Sequence, residues 1–234
     1  MKLTWLGHAS WRIEVGREVL LIDPWLEGNP AFPDARRIEA LTGATRILVT
    51  HGHGDHASEV PAIAAEMDLP VICIADLAGW WSQNHGLDCT GINKGGTVDL
   101  DGASVTMVNA VHSSSVATSG GQPVYAGAEA GFVIRGEGRC IYFSGDTDVM
   151  ADMGWIGEYY RPDIGILACG GHFTMDMKAA AWASKRFFDF ETVLPSHYAS
   201  FPVVAATADE LVAELDGVDV RVPAVLETVE IAAK

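Results

Sequence analysis

The chain has 234 residues and a mass of 25.0 kDa, and its 49% hydrophobic content and mean hydropathy of +0.17 exclude a disordered polypeptide. A formal charge of −16 and a pI near 4.7, with no Lys/Arg run to offset them, argue against nucleic acid as the main partner. No apolar run reaches the length of a membrane helix, and Gly7-His8 interrupts the first apolar stretch before a secretory signal forms, so no membrane association and a cytoplasmic location are expected.

In chain order, alternating or continuous apolar runs predict strands at 2–6, 11–15, 19–22, 47–49, 71–74, 105–108, 131–134, 140–143, 164–167, 192–194 and 218–222. Helical patterns fall at 59–67, 77–85, 177–188 and 208–215, and Thr207 followed by Glu210 reads as a capping box for the last of these. His85 lies at the C-terminal end of its helix and reads as a cap, with Trp80 and Trp81 as core or oligomer contacts. Antiparallel strands come first and strand-helix alternation recurs in each half, which suits two sheets packed face to face with helices outside. No linker or repeat divides 1–234, so a single domain is expected. The cysteines Cys73, Cys89, Cys140 and Cys169 have no close spacing, and free thiols in a reducing compartment are expected.

The chemistry concentrates in His51-Gly52-His53-Gly54-Asp55-His56, directly after the apolar run 47–50. Four groups able to bind a metal fall within six residues, where a polar turn needs only one. Neutral imidazole nitrogen and carboxylate oxygen are the donors that zinc and similar divalent ions take in catalytic sites. The longest irregular stretch, 113–127, follows His112 and reads either as a lid or binding loop or as a surface excursion.

His-x-His-x-Asp-His after a hydrophobic strand resembles the metallo-β-lactamase superfamily. The later ligands of that family also have counterparts in order: His112 after 105–111, Asp146 in Ser144-Gly145-Asp146-Thr147, and His197 in Leu194-Pro195-Ser196-His197-Tyr198. The opening Thr4-Trp5-Leu6-Gly7-His8-Ala9-Ser10 and the segment Gly170-Gly171-His172-Phe173-Thr174-Met175 resemble one branch, the metal-dependent hydrolases related to ascorbate-phosphate lactonases.

The resemblance implies an α/β fold, the four-layer αββα sandwich, with two divalent metal ions along one sheet edge. His51, His53 and His112 would hold the first ion and Asp55, His56 and His197 the second, with Asp146 bridging. Zinc is the expected metal, with manganese, iron and nickel as alternatives. Two residues apart on an extended segment, His51 and His53 point to the same side, whereas Asp55 and His56 come after the chain has turned. The ions outweigh the charge of Asp55, Asp146 and one hydroxide, and a positive centre suits a transition state that gains negative charge. The expected activity is therefore attack by binuclear metal-bound hydroxide on a small-molecule ester, lactone or phosphoester, with an anionic substrate in view. Asp55 would handle a proton, and His172, after two glycines that allow close backbone approach, is the second catalytic candidate. His8 reads equally as a substrate contact or a turn residue, and Asp23 as a carboxylate orienting a metal-binding histidine or as a pre-proline turn.

Among relatives, β-lactamases usually carry Cys where this chain has Asp146, and flavodiiron oxidoreductases carry a carboxylate where it has His53. Glyoxalase-II-like thioesterases add a helical domain, whereas 37 residues follow His197 here, and tRNA-processing phosphodiesterases add an RNA-gripping arm. The remaining alternative is a metal-dependent binding or regulatory protein without hydrolysis. The aromatic content leaves room for a homo-oligomer.

Overall fold

The computed structural model describes residues 1–118 and 120–234. Strands β1 (Lys2–Trp5), β2 (Trp11–Val15) and β3 (Glu18–Ile22) form an antiparallel meander. It is extended in parallel by β4 (Arg46–Leu48), β5 (Val71–Ile74) and β6 (Cys89–Ile92). The second sheet starts with β7 (Thr97–Asp99) and β8 (Ala103–Asn109), and β9 (Val116–Ala117) and β10 (Pro123–Val124) make a separate hairpin. It is completed by β11 (Ala130–Gly136), β12 (Arg139–Phe143), β13 (Ile164–Ala168), β14 (Thr192–Ser196) and β15 (Asp219–Val220). Finally β16 (Thr228–Glu230) returns to pair with β1. The strand orders are β16-β1-β2-β3-β4-β5-β6 and β15-β14-β13-β12-β11-β8-β7.

Helices carry the parallel crossovers. In the first half these are α1 (Arg37–Leu41), α2 (Gly54–Ala57), α3 (Val60–Met67) and α4 (Ala75–His85); in the second they are α5 (Asp152–Tyr160), α6 (Met177–Phe187) and α7 (Asp209–Glu214). Helix α4 packs on β5 and β6, and α6 packs on β13 between α5 and α7. The result is the expected αββα sandwich.

The burial patterns explain the layers. Strand β2 alternates, with Trp11, Ile13 and Val15 inward and Arg12 and Glu14 half-buried. Strands β5, β13 and β14 are buried at every position, as parallel strands covered on both faces must be. One hydrophobic core joins the sheets, and Trp11 Nε1 donates to Ser196 Oγ across it at 3.0 Å.

Several elements depart from the sequence expectations. Helix α5 went unanticipated because Gly154 and Gly157 dilute its apolar pattern. A Cβ on Gly157 would lie 1.9 Å from the Phe187 carbonyl oxygen, so the glycine is what lets α5 approach the end of α6. The capping box at α7 does not form. The helix starts after Ala208, so Thr207 lies one residue too early and its hydroxyl donates instead to Asp209 at 2.9 Å. Strands β6, β7 and β16 are edge or near-edge segments with exposed positions, and their apolar signal is correspondingly weak. The cysteines are free, with Cys73, Cys140 and Cys169 buried. No helix among the described residues is long and apolar enough to cross a membrane.

The topology decides where the chemistry sits. The carboxyl ends of β1, β3, β4, β8, β12 and β14 lead into His8, Asp23, the 51–56 segment, His112, Asp146 and His197 respectively. Loops at strand carboxyl ends, backed by rigid sheets, are the usual place for a site in an α/β fold.

Candidate metal centre

The structure brings the seven histidine and aspartate candidates for ligation to one edge of the sandwich. His51, His53 and His112 each place a ring nitrogen within 4.8 Å of the others, and Asp55, His56 and His197 do the same with His8. Asp146 stands between the groups: its Oδ2 lies 3.0 Å from His197 Nε2, 3.2 Å from His56 Nε2 and 3.7 Å from His112 Nε2.

Local structure aims these side chains. After β4 the chain stays extended to His53 (φ −63°, ψ 151°) and then turns into α2, which carries Asp55 and His56. The short helix is why Asp55 and His56 face a different point from His51 and His53. His197 sits in the left-handed region (φ 61°), as do His8 (φ 52°) and Asp23 (φ 47°). Non-glycine residues rarely adopt this backbone, which costs on the order of 1–3 kcal/mol each, and such strain clusters at functional sites.

Buried partners set the imidazole tautomers. Asp23, fully buried, accepts from the Thr50 amide at 2.8 Å, the Thr50 hydroxyl at 2.5 Å and His56 Nδ1 at 2.8 Å. Because the Thr50 hydroxyl spends its hydrogen on Asp23, it must accept from His51 Nδ1 at 3.0 Å. In the neutral rings of His51 and His56, Nε2 is thereby the atom left for ligation, with His51 Nε2 2.9 Å from His53 Nδ1. This is the arrangement in which a carboxylate or hydroxyl fixes a metal-binding imidazole from behind.

The electrostatics fit the same reading. Burial, followed by the charge of His56, holds His51 well below the ordinary histidine range. Burial likewise lowers His53 and His112, each then depressed further by neighbouring histidines. Neutral imidazole is the ligating form. Burial opposes charge on His56, but Asp146 and Asp23 outweigh it and raise the imidazole well above its usual range. Asp146 is held well below the carboxylate range against burial by His56 and His197. His56 Nε2 and Asp146 Oδ1 are buried without a hydrogen-bond partner. Unpaired buried polar atoms are costly, and divalent cations inserted among these donors would satisfy both. The residues present fit such ions.

His8 lies in the turn after β1, its carbonyl accepting from the His197 amide at 2.9 Å, and its ring has a further partner. It is fully buried, its Nε2 lies 3.1 Å from Asp55 Oδ2 and its Nδ1 lies 2.6 Å from Ser200 Oγ. Burial lowers its pKa to about 4, so the neutral ring donates from Nε2 to Asp55 and accepts the Ser200 hydroxyl at Nδ1. Burial works against charge on Asp55, yet the bond from His8 and the charge of His56 keep the carboxyl below its ordinary range. His8 holds Asp55 in place.

His172 stands apart from the donors. It is exposed (φ 59°), with its ring edge-on to Phe173 at 4.5 Å. The Gly170-Gly171 pair serves a different approach from the one expected: Gly170 passes so close to the chain at His197 that a Cβ would lie 1.9 Å from the His197 carbonyl oxygen. The 113–127 stretch includes the β9–β10 hairpin. Ser114 Oγ accepts from the Gly52 amide at 3.2 Å, and Ser113 lines the cavity beside His53. Ser119, also part of that stretch, lies outside the described residues.

The donors open into a cavity of about 840 Å³ whose wall includes Trp25, Phe173, Phe201, Pro202 and Val203. No spacing in the sequence marks these wall residues, because they come from three separate loops.

Residues 18–198 match the family model of the β-lactamase superfamily domain. A UPF0173 metal-dependent hydrolase of Cereibacter sphaeroides is 60% identical over 231 residues, covering 99% of this chain and all of that protein. A metallo hydrolase from the archaeon Ignicoccus hospitalis superposes with a TM-score of 0.88 at 30% identity, covering 100% of this chain and 99% of that one. An isothiocyanate hydrolase from Delia radicum gut bacteria shares the fold, with a TM-score of 0.79 at 20% identity over the full length of both chains. The chain belongs to the metal-dependent hydrolases of the β-lactamase superfamily.

Proposed function

We propose that the chain hydrolyses a small-molecule ester, lactone or phosphoester with two divalent ions, held by His51, His53 and His112 and by Asp55, His56 and His197, with Asp146 shared. The observation that carries this reading is the position of Asp146 Oδ2 within 3.7 Å of histidine nitrogens from both groups. Bound there, the ions would supply water deprotonated at neutral pH and positive charge for the developing anion. The all-nitrogen-and-oxygen donor set suits zinc, with manganese, iron and nickel as alternatives.

The chain's own residues supply the rest. Thr50 and Asp23 fix the rings of His51 and His56. His8 orients Asp55, whose carboxylate lines the cavity and would take a proton from the attacking water and pass it to the leaving oxygen. His172, exposed beside the cavity residue Phe173, would meet substrate at the rim. The lactone option rests on the resemblance of 4–10 and 170–175 alone. We assign the activity to one domain over 1–234 acting in the cytoplasm; a homo-oligomer would form through exposed aromatics such as Trp155 and Tyr159 on α5.

The test is incubation of metal-loaded protein with a cell metabolite extract, read by mass spectrometry against a chelated control. A compound that gains the mass of water only with metal present is the expected result. No change with metal bound would overturn hydrolysis in favour of a binding or regulatory protein.

A further inference from the structure

The cavity wall is strongly one-sided. Among the described residues, none of the side chains lining it belongs to Lys or Arg, and its carboxylates are those of the candidate donors Asp55 and Asp146. Trp25 and Phe201 stack at 5.7 Å with an interplanar angle of 25°, each also edge-on to His8. Opposite the buried donors, Phe173 and Val203 are 49% and 54% exposed. Large apolar side chains left in water around a concave site mark where an apolar partner replaces that water.

This wall is tied to the ligands. Trp25 follows Asp23 by two residues, and its amide donates to Ser10 Oγ, which in turn donates to the Asp23 carbonyl. Segment 200–203 follows His197, and Ser200 is bonded to His8. The apolar surface is therefore positioned by the residues that position Asp55 and His56.

We propose that the non-reacting part of the substrate is an uncharged aromatic or branched aliphatic group seated against Trp25, Phe173, Phe201, Pro202 and Val203. This rests on the hydrolase reading above and narrows it by the non-reacting part of the substrate, not by the bond that is cleaved. A phosphate or carboxylate on that part of the molecule would lose hydration with no cation to pair with, in a chain of charge −16. The sequence expectation of an anionic substrate finds no support in this wall. With a carboxylic ester or lactone, water would add across the acyl–oxygen bond, its hydroxyl to the carbonyl carbon and its proton to the leaving oxygen. The acid product ionises, and an anion has no cationic side chain in the wall to retain it.

The proposal is tested with two hydroxamates that share one metal-binding head, phenylacetohydroxamate and its 4-carboxy derivative, titrated calorimetrically into the metal-loaded protein. The neutral compound should bind at least about tenfold tighter, and Phe173→Arg, at a half-exposed position, should narrow or reverse the preference. Equal or tighter binding of the carboxylate by the unaltered protein overturns the proposal, as does binding of neither compound. Chelator-sensitive turnover of phenyl acetate and of phenyl phosphate is measured in parallel: absence of both, with the neutral preference intact, would remove the hydrolase reading and leave the binding wall standing.

Discussion

Asp23 Oδ2 lies 2.8 Å from His56 Nδ1, both side chains fully buried, so the carboxylate stands directly behind the imidazole that faces Asp146. Through the Thr50 hydroxyl the same carboxylate also governs His51. One residue that touches no substrate thus sets the orientation of a donor in each metal group.

Asp23→Asn replaces an acceptor with an amide. If its NH2 faces His56 it meets the Nδ1 hydrogen, and the ring then exchanges tautomers and blocks its Nε2. Metal affinity should fall about 10- to 100-fold, measured by competition against a chromophoric chelator. An unchanged affinity would remove Asp23 from this role.

Gly170→Ala places a Cβ where the His197 carbonyl oxygen stands, so the 197 loop must move. The atoms nearest the added Cβ belong to His197 and Val204, and none to His51, His53 or His112. Metal content by elemental mass spectrometry should therefore drop from two ions per chain towards one. Two retained ions with full turnover would contradict the packing argument.

His8→Phe removes the ring N–H that orients Asp55 while keeping an aromatic ring against His197, 4.0 Å away. Two ions should remain bound while kcat falls about tenfold, an effect of orientation rather than of metal loss. Loss of the second ion instead would make His8 a ligand.

Asp163, away from the site, accepts from the Cys140 amide and pairs with Arg139 and Lys234. Burial opposes its ionisation, but the bonds from Lys234 and Arg139 hold its carboxyl below the ordinary value of 3.8. With a lowered folded-state pKa, its stabilisation is present above the unfolded value and lost as pH falls through the folded one. Asp163→Asn should cost about 2 kcal/mol in denaturant unfolding at pH 7 and less at pH 3. A cost that does not shrink with acid would refute the charge contribution.

The convergence of the candidate donors was legible because they sit where apolar strands stop. The 51–56 segment packs four candidates into one turn, and His112, Asp146 and His197 each end a strand-like run. Asp23 was legible for the same reason. His8 was not, because its role depends on Asp55 and Ser200, 47 and 192 residues away, and no local pattern carries that contact. The apolar wall escaped likewise, since Trp25, Phe173 and Phe201 converge only through loops. Helix α5 was hidden by the glycines that let it pack, so close packing erased the apolar period that would have announced it.

The most direct test of the binuclear hydrolase is the turnover of the Asp146→Asn protein at saturating metal, measured on the substrate that the metabolite assay identifies. A fall of about 100-fold or more, with metal still bound at the remaining donors, is the result expected of a carboxylate shared by both groups. Unchanged turnover in the metal-bound variant would contradict the shared role of Asp146 and the two-ion centre built around it.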